Sequence, residues 1–283
     1  MSAPKALKSY LPEVTLVCAV ARVRGSVVGY DDVGVGTPVL LLHGFPFDRS
    51  MWREQAEALG GLCRVIAPDL RGFGESGDAE GAATMEEMAR DVASLLDYLR
   101  VDRAVVGGLS MGGYVTLAFC RLFPERVSAL VLADTRPQPD DEDGKRTREE
   151  TARRALLEGM EPIFSAMLPK LLTRASVDGD PSLVERVRAM VLNTRPASAA
   201  SALRGMALRR DQRDLLPLIS VPTLIIVGAE DCLTPPSEAE LMRRNINGAR
   251  LRVIEGAAHL SNLERAAEFN STLSAFLEDC RSL

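Results

Sequence analysis

The chain has 283 residues, of which 46% are hydrophobic and 26% charged. That balance belongs to a globular protein with room for one large α/β domain and an insertion. A net charge of −5 supplies no cationic field for nucleic acid or an anionic membrane, and no apolar run approaches the ~20 residues that span a bilayer. Cys18, Cys63, Cys120, Cys232 and Cys280 are odd in number and scattered, without a C-x-x-C pair. They read as reduced packing thiols of a cytoplasmic protein, not as a disulfide frame or a zinc site.

Residues 1–12 read as a loose or locally packed segment. Lys5 and Lys8 ahead of residues 14–20 have the layout of a secretory leader, but Pro12 and Glu13 interrupt it. Residues 14–23 are therefore read as the first strand, paired antiparallel with 26–31 through a turn at Arg24-Gly25. The run 38–42 is apolar throughout, as a strand buried on both faces must be, and it ends at His43-Gly44-Phe45-Pro46-Phe47-Asp48. A helix over 51–59, capped by Asp48 or Ser50, and a strand over 63–67 follow. Thr84 and Glu87 form a capping box for a helix over 85–99.

The strand at 104–106 runs into Gly107-Gly-Leu-Ser110-Met-Gly-Gly113, and a helix over 111–123 follows. This Gly-x-Ser-x-Gly turn lifts a serine hydroxyl clear of a sheet. By composition alone the pattern arises in roughly one chain in ten of this length, so its meaning depends on partners elsewhere. A strand over 129–132 ends at Ala133-Asp134-Thr135. Residues 136–216 then lack any strand-like run. Their charged opening (140–146) reads as a solvated loop. A Met/Leu stripe from Met160 to Leu172 recurs at helical spacing and reads as core packing, giving an all-helical insertion. Strands resume at 223–227 and 250–254. Ser261 and Glu264 read as a second capping box, opening a last helix that reaches Cys280.

A serine nucleophile needs a base, and the base an orienting carboxylate. The chain has only two histidines, His43 and His259. Ser110, Asp231 and His259 each follow a strand, and their order is that of the α/β-hydrolase triad. Asp231 is preferred to its rivals Glu230 and Asp134. In a parallel sheet such positions gather along one edge, where open-sheet active sites form.

The chain resembles α/β-hydrolase-fold enzymes over nearly its whole length. The resemblance rests on His43-Gly44-Phe45-Pro46, Asp69-Leu-Arg-Gly-Phe-Gly-Glu-Ser76, Gly108-Leu-Ser-Met-Gly112, Gly228-Ala-Glu-Asp231 and Gly256-Ala-Ala-His259. It implies an eight-stranded, mostly parallel sheet with helices on both faces. Residues 1–135 and 217–283 would form the core and 136–216 a helical cap. It also implies an oxyanion hole made by the amides of Phe45 and Met111, with His43 bracing that loop. Neither a metal nor an organic cofactor is expected.

Ser110 argues against the dehalogenase and epoxide-hydrolase branches, which resemble each other in using an aspartate nucleophile. Gly-Leu-Ser-Met-Gly-Gly with Asp-Leu-Arg-Gly-x-Gly-x-Ser is similar to 3-oxoadipate enol-lactonases. The expected activity is that of a carboxylic-ester hydrolase acting on small to medium, fairly apolar substrates. Enol-lactonase and C–C bond hydrolase activities are the alternatives within the fold, with perhydrolase chemistry as a side reaction. A ligand-binding receptor with vestigial turnover is the alternative from another class. Expected pocket residues are Phe45, Phe47, Trp52, Met111, Thr135, Phe164, Met167 and Leu168. Arg136 is read as a solvated loop residue, its alternative role being to hold a substrate carboxylate. The expected partners are a small ester or lactone and, at most, a second copy in a homodimer.

Overall fold

The computed structural model describes residues 16–79 and 81–281. The reading of residues 1–12, and the first two residues of the strand expected at 14–23, lie outside these. Two extended runs joined at Arg24-Gly25 form the antiparallel pair β1 (Leu16–Val23) and β2 (Ser26–Val33). The wholly apolar run becomes β3 (Pro38–Leu42), whose last four residues are buried. Asp48 then caps a 3-10 turn at Arg49–Trp52 by accepting the Ser50 amide, and α1 (Arg53–Leu59) continues from it.

β4 (Arg64–Pro68) and α2 (Met85–Tyr98) follow, and the Thr84–Glu87 capping box is formed. Next come β5 (Ala104–Leu109), α3 (Met111–Leu122) and β6 (Val127–Ala133). Five helices without an intervening strand separate β6 from the next strand. They are α4 (Glu142–Glu158), α5 (Glu161–Leu171), α6 (Arg174–Gly179), α7 (Pro181–Asn193) and α8 (Pro196–Ala207). The chain closes with β7 (Thr223–Gly228), α9 (Pro236–Asn245), β8 (Arg250–Ile254), α10 (Ser261–Glu264) and α11 (Ala266–Arg281).

The eight strands form one sheet in the order β1-β2-β4-β3-β5-β6-β7-β8. The pairings of β2 with β1 and β4 are antiparallel and all others are parallel. Every residue of β5 and β7 is buried, which is why those strands read as unbroken apolar runs. The parallel arrangement brings the loops after β3, β5, β6, β7 and β8 to one edge of the sheet.

Two sequence expectations are corrected. The charged stretch after Pro139 is not a solvated loop: Asp140 is buried, and Asp141 caps α4 by accepting the Gly144 amide at 2.7 Å. Acidic residues in a first turn favour a helix as readily as a loop. Nor is Ser261–Glu264 a capping box. Ser261 Oγ donates to Asp134 at 2.5 Å, while Glu264 accepts the amides of Thr173 (2.7 Å) and Ala258 (2.6 Å). Both polar ends are drawn to other segments, and the helix breaks at Arg265.

The β5–α3 turn is tight enough to dictate its glycines. A Cβ on Gly108 would lie 2.2 Å from the Gly112 carbonyl carbon, and one on Gly112 would lie 2.1 Å from the Leu42 carbonyl oxygen. Backbone cannot yield as a side-chain tip can. Gly112→Ala is accordingly expected to cost at least about 3 kcal/mol, at the upper end of overpacking effects. Gly179→Ala, where a Cβ meets nothing within 4 Å, should leave stability unchanged. Urea unfolding of the two variants checks this; equal midpoints would refute it.

Candidate active site

Ser110 sits between β5 and α3 with φ 55° and ψ −114°, a conformation that a non-glycine residue adopts only under constraint. Its amide donates to the Ala133 carbonyl at 3.0 Å, and its carbonyl accepts the Thr135 hydroxyl at 2.9 Å. The serine is thus tied to the end of β6 on both sides. The amides of Met111, at the first position of α3, and of Phe45, after β3, donate to no acceptor among the described residues. A helix N-terminus with free amides favours negative charge.

Asp231 follows β7 and His259 follows β8. Asp231 Oδ2 lies 2.8 Å from His259 Nδ1, and both side chains are almost fully buried. The carboxylate also accepts the amides of Leu233 (2.8 Å) and Thr234 (3.0 Å) and the Thr234 hydroxyl (2.7 Å). Burial alone would raise its pKa. The His259 ring and the Thr234 donors outweigh that and hold it below the usual carboxylate value. Asp231 at Nδ1 leaves Nε2 of His259 as the nitrogen for proton transfer.

The rival acids do not reach His259 by hydrogen bond. Glu230 is exposed. Asp134 is fully buried and accepts the Gly228 amide (2.8 Å) and the Ser261 hydroxyl. It therefore straps the loop carrying Asp231 to the loop carrying His259. Burial, followed by the charge of Asp231, pushes its pKa well above the normal range.

His43 is wholly buried, and burial lowers its pKa. Its Nε2 accepts the Leu70 amide at 2.9 Å, so Nδ1 carries the proton and donates to the Gly44 carbonyl, also at 2.9 Å. With both nitrogens committed, the ring joins the loop after β3 to the loop after β4. The Asp69–Ser76 motif is likewise structural: Asp69 accepts the amides of Arg49 and Glu75, both at 2.8 Å.

Ser110, His259 and Phe45 line one cavity of about 360 Å3, together with Thr234, Leu233, Tyr114, Arg136 and residues of α4, α5 and α8. That volume is at the small end of the range for small-molecule sites. Of the expected pocket residues, Phe45 and Met167 line it. The others do not, and several have visible employment elsewhere. Trp52 is buried against Phe269, with ring centroids 6.1 Å apart. Phe47 lies fully in the core and Phe164 is buried. Thr135 holds the Ser110 carbonyl, and Leu168 is partly buried against the core. Met111 is also core, its side chain buried while its amide stays free.

Arg136 is not a loop residue in solvent: it lines the cavity and pairs with Asp140 at 2.9 Å. The sequence did hold a signal for this wall. Asp140, Gly144, Thr147, Arg148, Thr151 and Arg154 all line the cavity and fall at i, i+4, i+7, i+8, i+11 and i+14, as one helix face does.

The sequence profile for the alpha/beta hydrolase fold matches residues 37–266. The chain belongs to the α/β-hydrolase family. Within it, the chain is of the enol-lactonase-like branch. It is 29% identical to 3-oxoadipate enol-lactonase 2 of Acinetobacter baylyi over 229 residues, covering 81% of this chain and 84% of that protein. Its structure matches a thermophilic esterase from Thermogutta terrifontis with a TM-score of 0.89 at 41% identity, over 95% of this chain and 99% of the other. It matches the enol-lactonase from Burkholderia xenovorans LB400 with a TM-score of 0.86 at 31% identity, over 92% and 100%. No helix among the described residues is long and apolar enough to cross a membrane.

Proposed function

We infer that this α/β hydrolase is a serine hydrolase that opens carboxylic esters or lactones through an acyl-enzyme, with Ser110, His259 and Asp231 as its triad. The observation that carries the reading is that His259, held by Asp231 at 2.8 Å, lines the same cavity as Ser110.

In this mechanism Ser110 Oγ bonds to the substrate carbonyl carbon while its proton passes to His259 Nε2. The carbonyl π electrons move to the oxygen, which takes hydrogen bonds from the Phe45 and Met111 amides. The tetrahedral intermediate collapses, the C–O bond to the alcohol breaks, and the leaving oxygen takes the proton from His259. Water then gives a proton to His259 and its oxygen to the acyl carbon. Ser110 recovers that proton as the acid departs. Asp231 keeps the imidazole in the required tautomer and offsets its charge in the two transition states. Helices α4–α8 act as the cap, since α4, α5 and α8, with Arg136 and Asp140 before them, line the cavity that holds Ser110.

Enol-lactone opening is the second reading. The Acinetobacter and Burkholderia relatives named above favour it, and so does the cationic wall of the cavity, which ordinary apolar esters do not require. The two readings share every protein step and differ only in whether the leaving oxygen stays attached to the acyl group. A steady-state assay on p-nitrophenyl esters from acetate to decanoate, beside a set of lactones, separates them by kcat/KM. Asp231→Asn should lower kcat on whichever substrate is turned over by roughly 10^3–10^4-fold, because the wrong tautomer is then held. A loss smaller than tenfold would remove Asp231 from the triad.

A further inference from the structure

The loop that carries His259 is tied to the cap on both sides of the histidine. Its neighbours Ala258 and Leu260 are buried, so their amides need acceptors. Both find them outside the loop. Leu260 donates to the carbonyl of Leu171, the last residue of α5, at 3.1 Å. Ala258 donates to Glu264 Oε2 at 2.6 Å. The other oxygen of that carboxylate, Oε1, accepts the amide of Thr173 at 2.7 Å. Leu171 and Thr173 flank Leu172 at the junction between α5 and α6. One short stretch of the cap therefore brackets His259 from both sides.

Glu264 works through position and not through charge. Among the described residues it makes no ion pair, and both of its oxygens are committed to backbone amides. A carboxylate accepts such amides more strongly than a neutral oxygen does. The core holds the same loop farther from the histidine, through the Ala257 carbonyl, which accepts the Glu230 amide at 2.9 Å, and through Ser261. Asp231 fixes the imidazole by its ring nitrogen; that bond does not fix the backbone from which the ring projects. A shift of roughly 1 Å at a reacting group can cost about 10^2-fold in rate. Helix α5 serves both ends of the problem. Ile163, Ala166 and Met167 line the cavity, and Leu171 holds the His259 loop.

We propose that the α5–α6 junction of the cap positions the His259 imidazole for proton transfer, with Glu264 as the positioning residue that joins the two. Catalysis then requires the cap to be docked at this junction, because a cap that lifts here releases both amides beside the base. The proposal rests on the serine-hydrolase reading above for the role of His259. Thr173 gives access to it from the cap side, since this residue does not line the cavity. Its φ of −63° is that of a proline, and Leu172 before it is extended, with φ −123° and ψ 150°, as a residue preceding proline must be. Thr173→Pro therefore removes the N–H and crowds Glu264 on a backbone that already suits it.

Thr173→Pro is expected to lower kcat at least about tenfold on whichever ester or lactone the parent hydrolyses, with KM within about threefold of the parent. Thr173→Ala gives the amide back, still without the threonine hydroxyl, and should return kcat to within threefold. The second readout needs no turnover. The chain has two histidines, so NMR on histidine-labelled protein follows two ring Nδ1–H groups, and His259→Ala tells them apart. In Thr173→Pro the His259 proton should exchange with solvent at least tenfold faster. That of His43, held by the Gly44 carbonyl, should exchange as in the parent. Thermal melts report that each variant is folded. If Thr173→Pro is not, Glu264→Gln, which leaves one of the two amides without an acceptor oxygen, decides by the same readouts. A kcat within threefold of the parent overturns the positioning role, as does an equal loss in Thr173→Ala or an equal acceleration of both histidine protons. If the parent turns over no ester or lactone, the hydrolase reading falls, and proton exchange alone decides whether the junction holds the ring.

Discussion

The Ser110→Ala protein is expected to unfold at the same temperature as its parent and to lose at least about 10^4-fold in kcat on every ester or lactone that the parent hydrolyses. The size of the loss follows from how the parts depend on one another. Without Oγ there is no acyl-enzyme, so the His259–Asp231 pair has no proton to receive from the serine. What remains is the free amides of Phe45 and Met111 and the fit of the cavity, acting on water. Stability should not move, because Ser110 makes its hydrogen bonds through backbone: its amide to Ala133 and its carbonyl to Thr135. A parallel His259→Ala variant should fall by a similar factor, and the double variant little further, since residues that act as a unit are not additive. The decisive measurement is steady-state kcat with a burst-phase control for contaminating hydrolase. A kcat within tenfold of the parent would exclude a Ser110 acyl-enzyme.

The sheet was legible because each central strand carries its own punctuation. Residues 38–42, 104–109 and 223–228 are apolar runs that end in glycine or histidine turns, and burial on both faces leaves no alternation to confuse. That Ser110, Asp231 and His259 would gather at one edge of the sheet was legible for a related reason: a residue just past a parallel strand has its position set by topology and not by side-chain packing. The cavity wall was harder to read. Phe47 and Trp52 sit in sequence beside Phe45, yet the chain turns them into the core while Phe45 keeps the cavity. Nothing in residue type distinguishes an aromatic that packs inward from one that faces a ligand. Asp140 failed in the other direction. A run of acids and bases reads as solvated, because the buried partner that offsets the cost of burying the charge comes from far along the chain. That partner is Arg209, 69 residues away and the most deeply buried of the three guanidiniums on Asp140. The Ser261–Glu264 pattern misled similarly, since Asp134, Thr173 and Ala258 claim its two polar ends.

Asp140 carries the second large effect, and here it is on stability. Arg209 is as deeply buried as Asp140 and also lies over the Tyr114 ring, 4.4 Å from its centroid. Asp140→Asn keeps the shape of the side chain and removes the charge, leaving a buried guanidinium without a counter-ion. Breaking a buried pair from one side costs about 3–5 kcal/mol, which for a chain of this length lowers Tm by about 5–8 °C. The same pair gives the parent an acid-sensitive stability. Burial would raise the pKa of Asp140, but hydrogen bonds and charge from Arg209 and Arg148 hold it well below the usual carboxylate range. A carboxyl whose pKa is depressed on folding contributes its full stabilisation above its unfolded value, about 3.9. That contribution is lost as pH falls below this value toward the folded one. The gap between parent and Asp140→Asn should therefore be widest at pH 6–7, persist to about pH 4, and narrow below it. Urea unfolding of both proteins across that range measures the gap directly. A variant within 1 kcal/mol of its parent at pH 7 would mean that Arg209 finds water or another acceptor, and that the cluster around Asp140 is not the support of the cavity wall.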